Sequence, residues 1–183
     1  MNGLSKMLLC TCAFLINALP AIAAEELNIK GQKIGMTEDE LRAMVGEPFS
    51  CGATKDLGDG VRHCGRLGTM ADTYAGKHVD IMRLFRKGKL VTVYVGGLKP
   101  EDFDEVETAL VDKFGKPKED RSRVHNAFGA QFDTATDTWT TGTAILVFKK
   151  RCGKVTDSCL TLISPEYMEK EQRDKQDKAR SDM

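Results

Sequence analysis

The stretch IGMTEDELRAMVGEP, Ile34 to Pro48, carries a complete set of instructions for one short helix, and its ending returns downstream as ALVDKFGKP, Ala109 to Pro117. Thr37 is placed to cap the helix, Glu40 to reach back to the Thr37 amide, and Met36 with Leu41 to flank them as a hydrophobic staple. Leu41, Met44 and Val45 fall at the three-and-four spacing of one buried face. Gly46 followed by Pro48 supplies a left-handed stop and a block on continuation. In the second copy Pro100 opens the helix, Phe103, Val106, Leu110 and Phe114 repeat the apolar face, and Gly115 with Pro117 ends it.

The two endings align without a gap as L-x-x-x-[VF]-G-x-P, Leu41 to Pro48 and Leu110 to Pro117. The segments downstream of the two copies are also alike. After the first, HVDIMRLF and LVTVYVGG flank Arg86-Lys87-Gly88-Lys89, which reads as a hairpin with β-branched and aromatic strands. After the second, TAILVFKK and CLTLIS flank a loop between Cys152 and Cys159, and DTWTTG, with Trp139, supplies a preceding strand. The expected fold class is therefore α+β, with two helix plus antiparallel-hairpin units in tandem forming a helix-on-sheet layer. The units span residues 24–98 and 99–164. One such half has little core, and two can bury a common face.

The flanks assign an address. Met1 to Lys6 carries one positive charge, Met7 to Leu19 is an apolar run of secretory length, and Ala21-Ile22-Ala23 supplies small residues for cleavage, so residues 1–23 read as a signal peptide. Cys10 and Cys12 lie at the start of the apolar run and not after it, which argues against lipidation. The run is shorter than the roughly 20 residues of a membrane span, and no later segment comes close to that length. The expected location is periplasmic or secreted. Residues 165–183 form a charged helical or disordered tail with Ser164-Pro165 as its opening.

Lys and Arg total 27, as do Asp and Glu, and the signs alternate along the chain, so there is no electrostatic footprint of a nucleic-acid binder. Four cysteines remain after cleavage. An even count in an exported chain points to disulfides. Of three possible connectivities, Cys51 with Cys64 and Cys152 with Cys159 fit best, because each pair brackets a Gly-containing loop. A metal reading of Cys51, His63, Cys64 and His78 has suitable ligand types but lacks C-x-x-C spacing.

The run Gly35 to Pro48, the later G-x-P, and Trp139 before a hydrophobic hairpin resemble the SmpA/OmlA group that includes the outer-membrane assembly lipoprotein BamE. They also resemble the related tandem architecture of β-lactamase-inhibitor-like proteins. The resemblance implies an envelope protein that binds other proteins and is not a catalyst. The residues agree: there is no G-x-S-x-G elbow, no H-E-x-x-H helix and no Gly-rich phosphate loop. Asp102, Asp104, Glu105 and Glu107 fall in the first turns of a helix, where they complement its dipole. Among 27 acidic residues the sequence selects no catalytic pair. No cofactor or metal is expected. Trp139 and Tyr94, large aromatics in predicted strands, are the candidate binding anchors. The partner is an envelope protein of unstated identity, in an assembly or inhibitor-like role. The competing class is a periplasmic enzyme acting on a cell-wall or peptide substrate.

Overall fold

The structure is a computed structural model that describes residues 25–46, 49–53, 60–66 and 72–181. The signal segment, Cys10, Cys12 and the Pro48 stop lie outside the described residues.

Local chemistry behaves as its residues dictate. Helix α1 runs Glu38–Val45. The Thr37 amide donates to Glu40 Oε2 at 2.7 Å and the Glu40 amide to Thr37 Oγ1 at 3.3 Å, which is the reciprocal cap. A 3-10 turn at Pro100–Asp102 leads into α2, Phe103–Phe114. Both helices stop on a glycine at positive φ, Gly46 at φ 72, ψ 176 and Gly115 at φ 80, ψ −171. That extended region with positive φ is open essentially to glycine alone, so the stop is stricter than an ordinary left-handed cap.

The strands are β1 Phe49–Ala53, β2 Val61–Arg66, β3 Asp72–Tyr74, β4 Lys77–Arg86, β5 Lys89–Leu98, β6 Lys118–His125, β7 Gln131–Thr140, β8 Ile145–Lys149 and β9 Ser158–Ile163. Lys87 and Gly88, both at positive φ, make the β4–β5 hairpin turn. The β8–β9 hairpin forms where its apolar runs place it, and β7 with Trp139 precedes it.

Two tandem helix-hairpin units do not form. The described strands make one nine-stranded antiparallel sheet in the order β1-β2-β4-β5-β9-β8-β7-β6, with β3 paired to β4. The described residues are mostly sheet, with only three α-helices, one of them eight residues long. The seam is β5 against β9, with Thr92 opposite Ile163 and Tyr94 opposite Thr161. One core cluster runs across it from Val79 and Val93 to Leu110, Leu146 and Leu162. The physical reason is the poverty of α1. It buries Leu41 alone, while Met44 remains 46% exposed and Val45 half-exposed. A hairpin with that cover is marginal in water, whereas joining two hairpins edge to edge satisfies their backbone groups and presents one broad apolar face to α2. There Phe103, Val106 and Leu110 are buried, and Phe103 stacks on Phe148 with centroids 4.4 Å apart.

Arg83 of β4 is fully buried on the helix side of the sheet. Its guanidinium donates to Gln32 Oε1 at 2.7 Å and to the Ile81 carbonyl at 2.9 Å, and lies 3.5 Å from Asp72 Oδ2. It thereby ties the segment before α1 to the sheet. The last helix, α3, spans Pro165–Ser181 and buries Tyr167, while most of its length is charged and exposed.

Candidate protein-binding face and a charged trough

Strand pairing assigns each side chain to a face, because residues opposite one another in register share it and sequence neighbours do not. One row crosses the sheet as Arg83, Val93, Leu162, Leu146 and Trp139, and all five are buried beneath the helix side. The row one residue away is Met82, Tyr94, Thr161, Val147 and Thr138. Met82 is 38% exposed and the other four are half-exposed. This second face is apolar and hydroxyl-bearing, with no charge in the row until Lys118 at the β6 edge.

Toward one end this face is closed. Leu84, Ile145 and Ile163 pack under Tyr167 and Met168 of α3, whose start is capped by Ser164 Oγ accepting from the Tyr167 amide at 3.1 Å. Toward the other end lies Gly96. A Cβ there would come within 2.9 Å of Tyr94 Cε1, so the tyrosine ring lies along the strand over the glycine. Burial, together with the charge of Asp157, pushes the Tyr94 phenol above its ordinary range. Tyr94 is thus held flat near the middle of the sheet with part of its ring in solvent.

Trp139 is not an exposed anchor. It is 5% exposed, points to the helix side, and its Nε1 donates to the Gly115 carbonyl at 2.7 Å, closing the end of α2. The threonines that flank it, Thr138 and Thr140, face the other way, which is why a polar stretch conceals a core residue. The cysteines pair as expected, with Cα–Cα distances of 4.1 Å for Cys51 and Cys64 and 6.1 Å for Cys152 and Cys159. Cys51 lies directly opposite Cys64 in the β1–β2 register. His63 and His78 do not join them: His63 is opposite Leu84 and faces away from Cys64, and His78 is exposed. Glu38 does approach the two sulfurs, but these are committed to each other.

A second feature has no signature in the sequence. Beyond Thr136 the β7–β8 ladder gives way to single bonds, from the Lys150 amide to the Ala135 carbonyl and from Arg151 Nε to the Asp133 carbonyl, both at 2.9 Å, and Gln131–Thr134 pairs as a strand with β6 alone, forming an arm. Asn126 Oδ1 organises its tip by accepting from the Phe128 and Ala130 amides, and Phe128 is 96% exposed there. Between the arm and α2 lies a trough of about 360 Å³, walled by Phe103, Asp104 and Glu107 on one side and Arg121 and Arg123 on the other.

At its inner end Arg121 bridges two carboxylates. Nη2 donates to Glu107 Oε1 at 2.6 Å, and Nη1 donates to Asp137 Oδ1. Asp137 is fully buried, and its Oδ2 has no donor among the described residues. Glu107 is held above the usual carboxylate range, first by burial and next by the charge of Asp137, although Arg121 pulls the other way. Both partners of this ion pair shift upward. The reason is that the Arg121 charge is already committed to Asp137, whose hydrogen bond is the largest effect holding the guanidinium protonated. Of the acidic residues along α2, Glu107 is therefore the one the fold singles out.

Among the described residues no helix is long and apolar enough to cross a membrane. Comparison with family models, with curated proteins and with solved structures finds no match to this chain.

Proposed function

We propose that this is an exported, non-catalytic protein-binding module of the bacterial cell envelope, acting as an assembly accessory or in an inhibitor-like role. The observation that carries the reading is the row Met82, Tyr94, Thr161, Val147 and Thr138, a half-exposed and uncharged band across five strands. Tyrosine and methionine on a rigid sheet make good interface anchors, since they bury much area with little conformational entropy left to lose. Two disulfide-bonded pairs and an N-terminal segment with signal-peptide chemistry support an extracytoplasmic address. The resemblance of Gly35 to Pro48 to the SmpA/OmlA group supports a partner in the envelope.

Crosslinking pull-down from the periplasm of the native host tests the reading. A discrete envelope protein captured by the wild type is expected to be lost with Tyr94→Ala combined with Met82→Ser, while the melting temperature stays within a few degrees. If the same partner is captured by wild type and double variant alike, the binding face lies elsewhere. If no envelope protein is captured and the purified chain turns over a cell-wall or peptide substrate, the enzyme reading replaces this one.

A further inference from the structure

We infer that the tip of the β6–β7 arm is a peripheral docking element for an anionic lipid bilayer, with Phe128 entering the boundary between headgroups and acyl chains and a basic collar behind it facing the headgroups. This surface shares no residue with the row from Met82 to Thr138. Phe128 is 96% exposed, and the stretch around it, Val124 to Phe132, contains no Asp, Glu, Lys or Arg in a chain that is 30% charged. Val124 and Phe132 lie opposite each other across the arm and are both half-exposed, so the apolar surface extends beyond one ring.

A turn that enters a low-dielectric region must also satisfy its own backbone, because polar groups left open there are costly. This turn does so. The Asn126 amide donates to the Ala130 carbonyl and the Gly129 amide to the Asn126 carbonyl, both at 3.0 Å. Asn126 Oδ1 accepts from the Phe128 amide at 3.0 Å and from the Ala130 amide at 2.9 Å. The bonds that a protein partner would ordinarily take from a protruding loop are used inside it. That favours a partner which asks only for apolar area and charge.

The charge stands at the base of the arm. Arg151 donates from Nε to the Asp133 carbonyl at 2.9 Å and from Nη1 to the Val155 carbonyl, and its guanidinium lies 4.9 Å from the Phe132 ring centroid. It fixes the arm to the loop closed by Cys152 and Cys159, which also carries the exposed Lys154. The surrounding charges are already matched. Asp133 is paired with Arg123 at 3.0 Å, Asp157 with Lys99 at 3.6 Å and Asp104 with Lys150 at 3.5 Å. Lys149 and Asp120 stand on either side of Thr136 and offset each other. Arg151 and Lys154 are therefore the excess charge behind an uncharged aromatic tip, and apolar immersion with basic residues at headgroup level is what holds a peripheral protein on an anionic bilayer.

Flotation of the oxidised mature chain with lipid vesicles tests the docking. Equimolar phosphatidylcholine and phosphatidylglycerol vesicles should carry the chain at low salt, and pure phosphatidylcholine vesicles far less of it. Phe128→Ser should lower the partition constant on the anionic vesicles about tenfold or more, and Lys154→Gln about fivefold. Tyr94→Ala combined with Met82→Ser should leave it unchanged, which separates this surface from the protein-binding face. In Phe128→Trp, the new indole emission should shift to the blue on anionic vesicles and be quenched by brominated acyl chains. A wild-type chain that anionic vesicles do not carry, or binding that survives Phe128→Ser unchanged, overturns the docking. So does a photocrosslinker at position 128 that yields one discrete protein adduct in the periplasm, since Phe128 is then an anchor for a protein pocket. Because the Phe128 ring lies in solvent, each variant at this position keeps the fold.

Discussion

Helices α1 and α2 end on the same sequence signature, yet one is a clip and the other a lid. Each stops on a glycine in the same backbone region and donates that amide back to the fourth residue before it, Gly46 to Arg42 at 3.0 Å and Gly115 to Val111 at 2.8 Å. Their burial differs. The first buries Leu41 and is otherwise tied down by polar ends, Glu38 to Arg62 at 2.9 Å and Arg42 to the Phe49 carbonyl at 3.0 Å. The second buries three large side chains and is closed by Trp139. A repeated motif thus specifies where a helix stops, not what it covers. What it covers depends on length, eight residues against twelve, and on which strands assemble beneath it.

The two helices also differ in electrostatics, with opposite sign. Glu40 is held below its ordinary range, chiefly by the hydrogen bond from the Thr37 backbone. Its contribution is present above the ordinary glutamate value and is lost as pH falls through the depressed one. Glu107 behaves the other way, losing its contribution as pH rises. Acid therefore weakens the cap of α1, while at α2 the raised Glu107 favours its protonated form.

The largest expected break in this comparison is Trp139→Ala. Removing a buried indole and leaving the Gly115 carbonyl without its donor should cost about 3–5 kcal/mol, measured by denaturant unfolding, and Leu110→Ala about 2–5 kcal/mol. A Trp139→Ala variant as stable as wild type would mean that α2 does not depend on its closing contact. A smaller effect is expected at the start of α1. Thr37→Ala should cost about 1 kcal/mol near neutral pH through loss of the cap. Replacing Glu40 by Gln should in addition flatten the acid limb of the melting-temperature profile; an unchanged limb would disconnect Glu40 from the stability of α1. The smallest effect is Met44→Ala, within about 0.5 kcal/mol, because its side chain is exposed where its spacing suggested core. A cost comparable with Leu110→Ala would make α1 a lid after all.

Several features are legible in the amino-acid sequence because they depend on residues a few positions apart. Thr37 and Glu40 determine a capping box, Gly46 and Gly115 the helix stops, Lys87-Gly88 a hairpin turn, and the short cysteine spacings their pairing. Strand β6, KEDRSRVH, has no such signal because it is polar on both faces and is held by β7 alone at the sheet edge. Burial is decided only in three dimensions. Trp139 is core and Tyr94 surface, and Arg83 occupies a core register position, because a strand's register determines which alternate residues face the helices. The β5–β9 seam and the meeting of Glu107 and Asp137 on Arg121 join residues far apart in the chain. No local rule reaches them. They exist because closing the sheet edge and covering its apolar face lowers the free energy of the whole chain, and that is a property of the assembled sheet and not of any one segment.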